Sequence, residues 1–394
     1  MSEGASATLG GNGGEPASST ARLDRFLEAE HPPTPCLVVD LEIVRCRYKA
    51  LREAFPEAEI YYAVKANPAQ EIIAALAELG AKFDLASSGE IEICRGLGIA
   101  PERLSFGNTV KRESAIAEAF GEGLTLFAFD SAAELEKLAR RAKGARVFCR
   151  LLTPSKGAEW PLTRKFGCEA HMAADLLVAA REQGLKPVGV SFHVGSQQTD
   201  PEAWTGAIAH AAWIFRSCAR RGLALDLLNL GGGLPAHYRS NVPPLAAYTE
   251  TIEEALGREF GGNRPKILIE PGRYLVADAG LLRAEILLIS RKSRGERERW
   301  VYLDAGLYNG LEETLDERIH YPIRTPRDCG ETGPVILAGP TCDSADILYR
   351  RHPYELPLAL EIGDWIDFLT AGAYTASVAS VAFNGFPPIQ SYFV

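Results

Sequence analysis

Between residues 59 and 270 the chain repeats one pattern eight times: a short apolar run, then a stretch with apolar residues recurring at intervals of three and four. The runs fall at 59–65, 82–86, 103–106, 125–129, 146–151, 187–192, 226–230 and 266–270, and helical periodicity fills gaps such as 70–79, 132–142 and 172–183. Strict alternation of strand and helix implies a parallel sheet, because each helix carries the chain back to the end where the next strand begins. Eight units suffice to close such a sheet, so the expected fold class is α/β, with a (β/α)8 TIM-like barrel. An open doubly wound sheet shows the same alternation. The lack of an early GxGxxG and the spread of polar residues over many strand ends favour the closed form.

After residue 276 the pattern changes. Strands at 284–289, 300–303, 334–338 and 365–369 follow one another without long helices, punctuated by turns at Gly339-Pro340 and Ile362-Gly363-Asp364. This predicts a C-terminal β-sandwich-like domain. The segment Pro35 to Asp40 (PCLVVD) precedes the first barrel strand and is expected to pair into that domain. The resulting division is a disordered tail over 1–22, an N-terminal segment contributing to the β domain over 23–45, the α/β barrel over 46–280, and the β domain over 281–394. The tail is inferred from the small, polar, glycine-rich first twenty residues, which lack the apolar centre of a secretory signal.

Composition narrows the partners. The net charge is 42 − 51 = −9 and no basic block stands out, so neither nucleic acid nor an anionic membrane is expected. No apolar run approaches the roughly 18 residues of a membrane span. Eight cysteines without a CxxC pair fit a reducing cytoplasm rather than a disulfide scaffold, and no metal site is expected.

The polar residues at the strand ends carry the chemistry. Lys65 closes the first strand, Asp84 the second, Arg150 the fifth and His193 the sixth; Gly231-Gly232-Gly233 follows the seventh, and Glu270-Pro271-Gly272-Arg273 closes the eighth. In a barrel these ends meet at one mouth. Burial there is expected to push Lys65 toward the free amine that forms a Schiff base. Pyridoxal phosphate needs such a lysine, a carboxylate at the pyridine nitrogen, a ring to stack on and a phosphate cradle. Glu270 can be the carboxylate, His193 the ring, and the glycine run with Arg273 and Ser196 the cradle. Each residue alone has an ordinary structural reading; it is their occurrence on successive strand ends that points to one site.

The motifs Tyr62-Ala63-Val64-Lys65-Ala66-Asn67, Phe83-Asp84-Leu85-Ala86-Ser87, Phe192-His193-Val194-Gly195-Ser196, Gly231-Gly232-Gly233, Glu270-Pro271-Gly272-Arg273-Tyr274, Gly339-Pro340-Thr341-Cys342-Asp343 and Gly372-Ala373-Tyr374-Thr375 run in one order through the chain. In that order the sequence resembles the fold type III pyridoxal-phosphate decarboxylases acting on ornithine, lysine, arginine or diaminopimelate, and is similar above all to the ornithine and lysine/ornithine members. The resemblance implies an alanine racemase-like architecture, pyridoxal 5'-phosphate as cofactor, and a head-to-tail homodimer with active sites shared across the interface. It makes Lys65 the Schiff-base lysine, Glu270 the pyridinium partner and His193 the stacking ring. Asp84, Arg150, Gly231, Gly232 and Gly272 become cofactor-site residues, and Ser196, Gly233, Arg273 and Tyr374 the phosphate grip. Cys342 and Asp343 resemble the pair donated by a partner subunit, Cys342 returning a proton to Cα.

For substrate, the resemblance favours a basic L-amino acid. An aspartate after the cysteine marks the diamine-forming members, whereas diaminopimelate decarboxylases typically place a glutamate there, so Cys342-Asp343 points to L-ornithine, with L-lysine beside it and polyamine biosynthesis as the setting. A second ligand for the distal ammonium is expected at Asp316 or Glu317. Glu312 and Glu313, in the same run, read as an exposed helical face. D-ornithine or D-lysine, arginine, diaminopimelate and carboxynorspermidine stay open as substrates, as does a non-catalytic decarboxylase-like regulator. Against the regulator stand the intact Lys65, glycine run, Glu270 and Cys342.

Overall fold

A computed structural model describes residues 20–162 and 164–394, so the expected tail lies outside the described residues except at its last three positions, where helix Ala21–Glu30 is already beginning. The eight expected strands form a closed parallel barrel. They span Glu59–Ala63, Lys82–Leu85, Leu104–Phe106, Leu126–Phe129, Arg146–Arg150, Lys186–Ser191, Leu227–Asn229 and Lys266–Ile269. Closure runs from the last to the first, with Leu268 opposite Glu59 and Ile269 opposite Ile60. Several strands stop one or two residues early, because the polar residue at the end leaves the ladder for a turn. Lys65, for instance, sits in the 3-10 turn Val64–Ala66.

Side chains alternate across each strand. One set, Tyr61, Leu126, Ala128, Phe148, Leu227 and Leu268, forms a cluster of its own inside the barrel. The other set packs outward against the helices in one continuous core. The inward set places an apolar plug below the mouth. Two residues beyond Phe148, Leu227 and Leu268, at the same inward phase, come Arg150, Asn229 and Glu270, and Asp84 lies beside Ala63, two residues beyond Tyr61.

The β domain is built on the eleven-residue strand Gly280–Ser290. Its first half lies between Cys36–Val39 and Trp365–Leu369, both antiparallel to it. Past a register shift between Ile286 and Leu288 it pairs with Arg299–Leu303, which in turn runs parallel to Thr332–Ala338. The Pro35 to Asp40 segment thus enters this sheet as expected, and its strand also pairs, in parallel, with Gln390–Phe393. Helix Ala21–Glu30 covers it with Leu23 and Leu27. The boundary drawn at residue 45 falls inside a single helix, Leu41–Ala54. The change from sheet to helix comes instead at Asp40, whose carboxylate caps that helix by accepting the Glu42 N–H at 2.8 Å. Among the described residues no helix is long and apolar enough to cross a membrane.

Candidate active site

The mouth of the barrel collects Lys65, Asp84, Arg150, His193 and Glu270. Lys65 Nζ stands 3.7 Å from Asp84 Oδ2. Burial favours the neutral amine, as the sequence suggests, but Asp84, Tyr374 and Glu270 outweigh it and raise the lysine pKa. The expected free amine is therefore replaced by an ammonium held among carboxylates. Asp84 is itself pushed well above the usual carboxyl range by burial and by Glu270, against the pull of Lys65 and Arg150. Its Oδ1 is buried without a hydrogen-bond partner, which marks a polar wall facing the mouth.

His193 is neutral. Burial, then Arg150 and Lys65, holds its pKa well below the usual imidazole value. Nδ1 accepts the Gly195 N–H at 3.0 Å, which requires an unprotonated nitrogen. Arg150, whose pKa burial lowers against the opposing pull of Glu270 and Asp84, lies over the Phe166 ring at 5.0 Å.

Glu270 has a partner that the sequence reading missed. Asn229 Nδ2 donates to Glu270 Oε1 at 2.5 Å, while Asn229 Oδ1 accepts the Gly231 N–H at 2.9 Å. One buried amide therefore fixes both the carboxylate and the start of the glycine run. Gly231 has φ +67°, and a Cβ there would lie 2.0 Å from the Phe192 carbonyl oxygen. Only glycine lets this loop close against the strand end that carries His193. Gly232 and Gly233 continue it beside Glu270 and Gly195.

On the far side, Ser196 opens strand Ser196–Gln198, which pairs with Ala158–Trp160 above the mouth. Ser196 Oγ accepts from Arg273 Nε at 3.3 Å and Nη2 at 3.1 Å. Tyr374, with φ +55°, lays its ring 4.9 Å from the Arg273 guanidinium carbon and donates its backbone N–H to the Ala66 carbonyl at 2.8 Å. Gly272 packs its backbone between the turn of Lys65 and the Tyr374 hydroxyl. Arg273 has a further partner: it forms a buried two-pronged ion pair with Glu313. The expectation of an exposed face at Glu312 and Glu313 fails for Glu313, which is 4% exposed.

Cys342 and Asp343 touch none of these groups. Both are exposed in a loop of the β domain, where the Cys342 N–H donates to Asn384 Oδ1 at 3.0 Å. Asp343 accepts from the Tyr308 hydroxyl at 2.7 Å and the Ala345 N–H at 2.9 Å, contacts that lower its pKa. Ser380 binds the Tyr308 carbonyl, and Ser377 and Tyr374 bind Ala66, so one segment links the Asp343 loop to the lysine turn. Asp316 is open to solvent near Arg318 and Arg351. Glu317 accepts the backbone N–H groups of Arg351 and His352 and meets the His352 ring at 2.7 Å.

The groups at the mouth fit pyridoxal phosphate. Lys65 could meet the aldehyde, Glu270 has one oxygen held by Asn229 and a second that could meet the ring nitrogen, and His193 has an uncharged ring that could face the pyridine. Ser196 and Arg273, in contact with each other, and the glycine run, which abuts Gly195, offer donors that could hold a phosphate.

Comparisons with known proteins point to the same cofactor. Residues 41–277 match the family described as pyridoxal-dependent decarboxylase, pyridoxal binding domain. The lysine/ornithine decarboxylase of Selenomonas ruminantium is 36% identical over 359 residues, covering 91% of this chain and 89% of that protein. The antizyme inhibitor 2 of Xenopus laevis is 34% identical over 362 residues, covering 89% and 78%. Among solved structures, the lysine/ornithine decarboxylase of Vibrio vulnificus complexed with cadaverine superposes with a TM-score of 0.85 at 31% identity, covering 96% of this chain and 99% of the other.

Proposed function

We propose that this chain, which belongs to the pyridoxal-dependent decarboxylases and is a basic amino acid decarboxylase of the ornithine/lysine type, acts on L-ornithine to give putrescine and on L-lysine to give cadaverine. The observation that carries the substrate choice is Asp343 beside Cys342: a carboxylate held ionised on an exposed loop suits the distal ammonium of a diamine-forming amino acid. Pyridoxal phosphate, when bound, supplies an aldehyde for Lys65 and the amino acid, and a ring that withdraws electrons from Cα.

The chain's residues do the rest. Glu270, fixed by Asn229, holds a proton at the ring nitrogen and so favours loss of the carboxylate. Neutral His193 stacks without adding positive charge that would oppose that proton. Lys65, with Asp84 beside it, accepts and returns protons at the amino nitrogen. Cys342 delivers the proton that replaces carbon dioxide at Cα.

Because Cys342 and Asp343 are exposed and have their hydrogen-bond partners elsewhere than at their own chain's lysine, the proposed working form is a head-to-tail homodimer in which each copy lends this pair to the other. Asp316 or Glu317 is the proposed second contact for the distal ammonium. Glu317 already answers three donors, and Arg318 and Arg351 lie close by, so Asp343 is assigned the larger share. One methylene is worth only about 1–3 kcal/mol in such a pocket, which is why both substrates are proposed. The proposed location is the cytoplasm. The regulator reading is disfavoured by the assembled lysine, carboxylate and glycine loop.

The test is carbon dioxide release by purified protein with pyridoxal phosphate, across L-ornithine, L-lysine, L-arginine, meso-diaminopimelate and the D-enantiomers of the first two. Release from L-ornithine or L-lysine is expected. Silence on both, with cofactor covalently bound, refutes the substrate assignment.

A further inference from the structure

Arg273 is fully engaged before any phosphate arrives. A guanidinium has five N–H groups, and all five have partners here. Nη1 donates to the Tyr238 hydroxyl at 2.6 Å and to Glu313 Oε2 at 2.7 Å. Nη2 donates to Glu313 Oε1 at 2.5 Å and to Ser196 Oγ at 3.1 Å, and Nε donates to the same Oγ at 3.3 Å. Glu313 therefore grips one end of the guanidinium, and a neutral hydroxyl sits against the Nε/Nη2 edge. Both members of the ion pair are buried, with side chains 3% and 6% exposed.

A buried arginine without a counter-charge strongly destabilises a fold. At this mouth Lys65 stands beside Asp84, and Arg273 is paired with Glu313. We propose that Glu313 is a built-in counter-anion for Arg273. It neutralises and aims the arginine in the cofactor-free chain, leaves the Nε/Nη2 edge as the place where a phosphate oxygen takes over from Ser196, and competes by charge with that phosphate. Glu313 is thus a positioning residue, acting on the cofactor only through Arg273. This rests on the pyridoxal phosphate assignment, which uptake by the parent protein checks separately.

The test uses cofactor-free full-length protein and measures dissociation constants for inorganic phosphate, pyridoxal phosphate and pyridoxal. Pyridoxal lacks the phosphate and reports the lysine and ring contacts alone. Glu313→Gln keeps an acceptor but removes the charge. It is expected to tighten phosphate and pyridoxal phosphate about ten-fold, as one buried unit charge nearby warrants, while pyridoxal is unchanged. Glu313→Asp keeps the charge but shortens the reach, and is expected to weaken pyridoxal phosphate with pyridoxal again unchanged. Parallel shifts for pyridoxal phosphate and pyridoxal would reduce Glu313 to a scaffold residue and overturn the proposal, as would weaker or unaltered phosphate binding in Glu313→Gln. Should Glu313→Gln not fold without cofactor, an unaltered affinity ratio in Glu313→Asp overturns it. A parent protein that takes up no pyridoxal phosphate removes the cofactor assignment and this inference together.

Discussion

Replacing Asn229 with alanine should loosen both ends of the cofactor site at once. The amide is fully buried, and both its oxygen and its nitrogen have structural partners: the Gly231 N–H at 2.9 Å and Glu270 Oε1 at 2.5 Å. Alanine leaves a buried N–H and a carboxylate oxygen without these partners. A stripped buried donor costs about 1–3 kcal/mol and a lost hydrogen bond to a charged group about 1.5–3 kcal/mol, so a loss of about 3–5 kcal/mol is expected. That is a large part of an ordinary domain's stability. Urea unfolding of the cofactor-free protein should show a lower midpoint at unchanged slope. Affinity should fall for pyridoxal, through Glu270, and further for pyridoxal phosphate, through the glycine loop. Asn229→Asp separates the two effects. It keeps the acceptor for Gly231 but sets a second carboxylate against Glu270, so pyridoxal and pyridoxal phosphate should weaken by the same factor. An alanine variant within 1 kcal/mol of the parent, with unaltered affinity for both compounds, would refute the coupling.

Other outcomes follow from the same site. Lys65→Ala should abolish covalent cofactor capture and decarboxylation together; turnover retained in the variant would sink the lysine's role. Cys342→Ala should keep the cofactor but slow turnover and divert product toward an aldehyde, and an unchanged product ratio would remove Cys342 from proton delivery. Asp343→Asn should raise KM for L-ornithine at least ten-fold, equivalent to about 1.4 kcal/mol, with little change in cofactor affinity; equal KM values would exclude its contact with the ammonium. In Gly107→Ala the new methyl would lie 1.9 Å from Asp84 Oδ1, so the carboxylate must leave its 3.7 Å pairing with Lys65. Covalent capture should then change its pH dependence, the midpoint moving down as the lysine loses the neighbour that raises its pKa. An unmoved midpoint would show that Asp84 does not tune Lys65.

The barrel was legible because its signal is repeated: eight apolar runs in alternation with helical periods leave few architectures open. The strand ends were less legible, since the ladder stops where polar side chains turn toward the mouth, as at Lys65. Asn229 escaped notice because a strand-end asparagine has no reactive chemistry of its own; its next-but-one neighbour Gly231, at the start of a glycine run, was the available clue. Glu313 was hidden in an acidic run that reads as a solvated face. What holds it inside is its two-pronged pair with Arg273, forty residues earlier in the chain and not readable from composition. The roles proposed for Cys342 and Asp343 rest on the order of motifs alone, since both are exposed in the single chain.

The strand Cys36–Val39 lies between two partners made at very different times. One is Gly280–Arg283; the other is Gln390–Phe393, some 350 residues downstream. The Val394 N–H closes the arrangement on the Val39 carbonyl at 2.9 Å. A ribosome delivers the first member early and the last only after the whole barrel has emerged. Until then Cys36–Val39 is an apolar strand with one edge open, a template for mispairing with another chain. Contacts of such long span also slow folding. The barrel and most of the sheet beside it can therefore form before residues 390–393 are made, and removing residues 390–394 would leave that early strand without one of its partners.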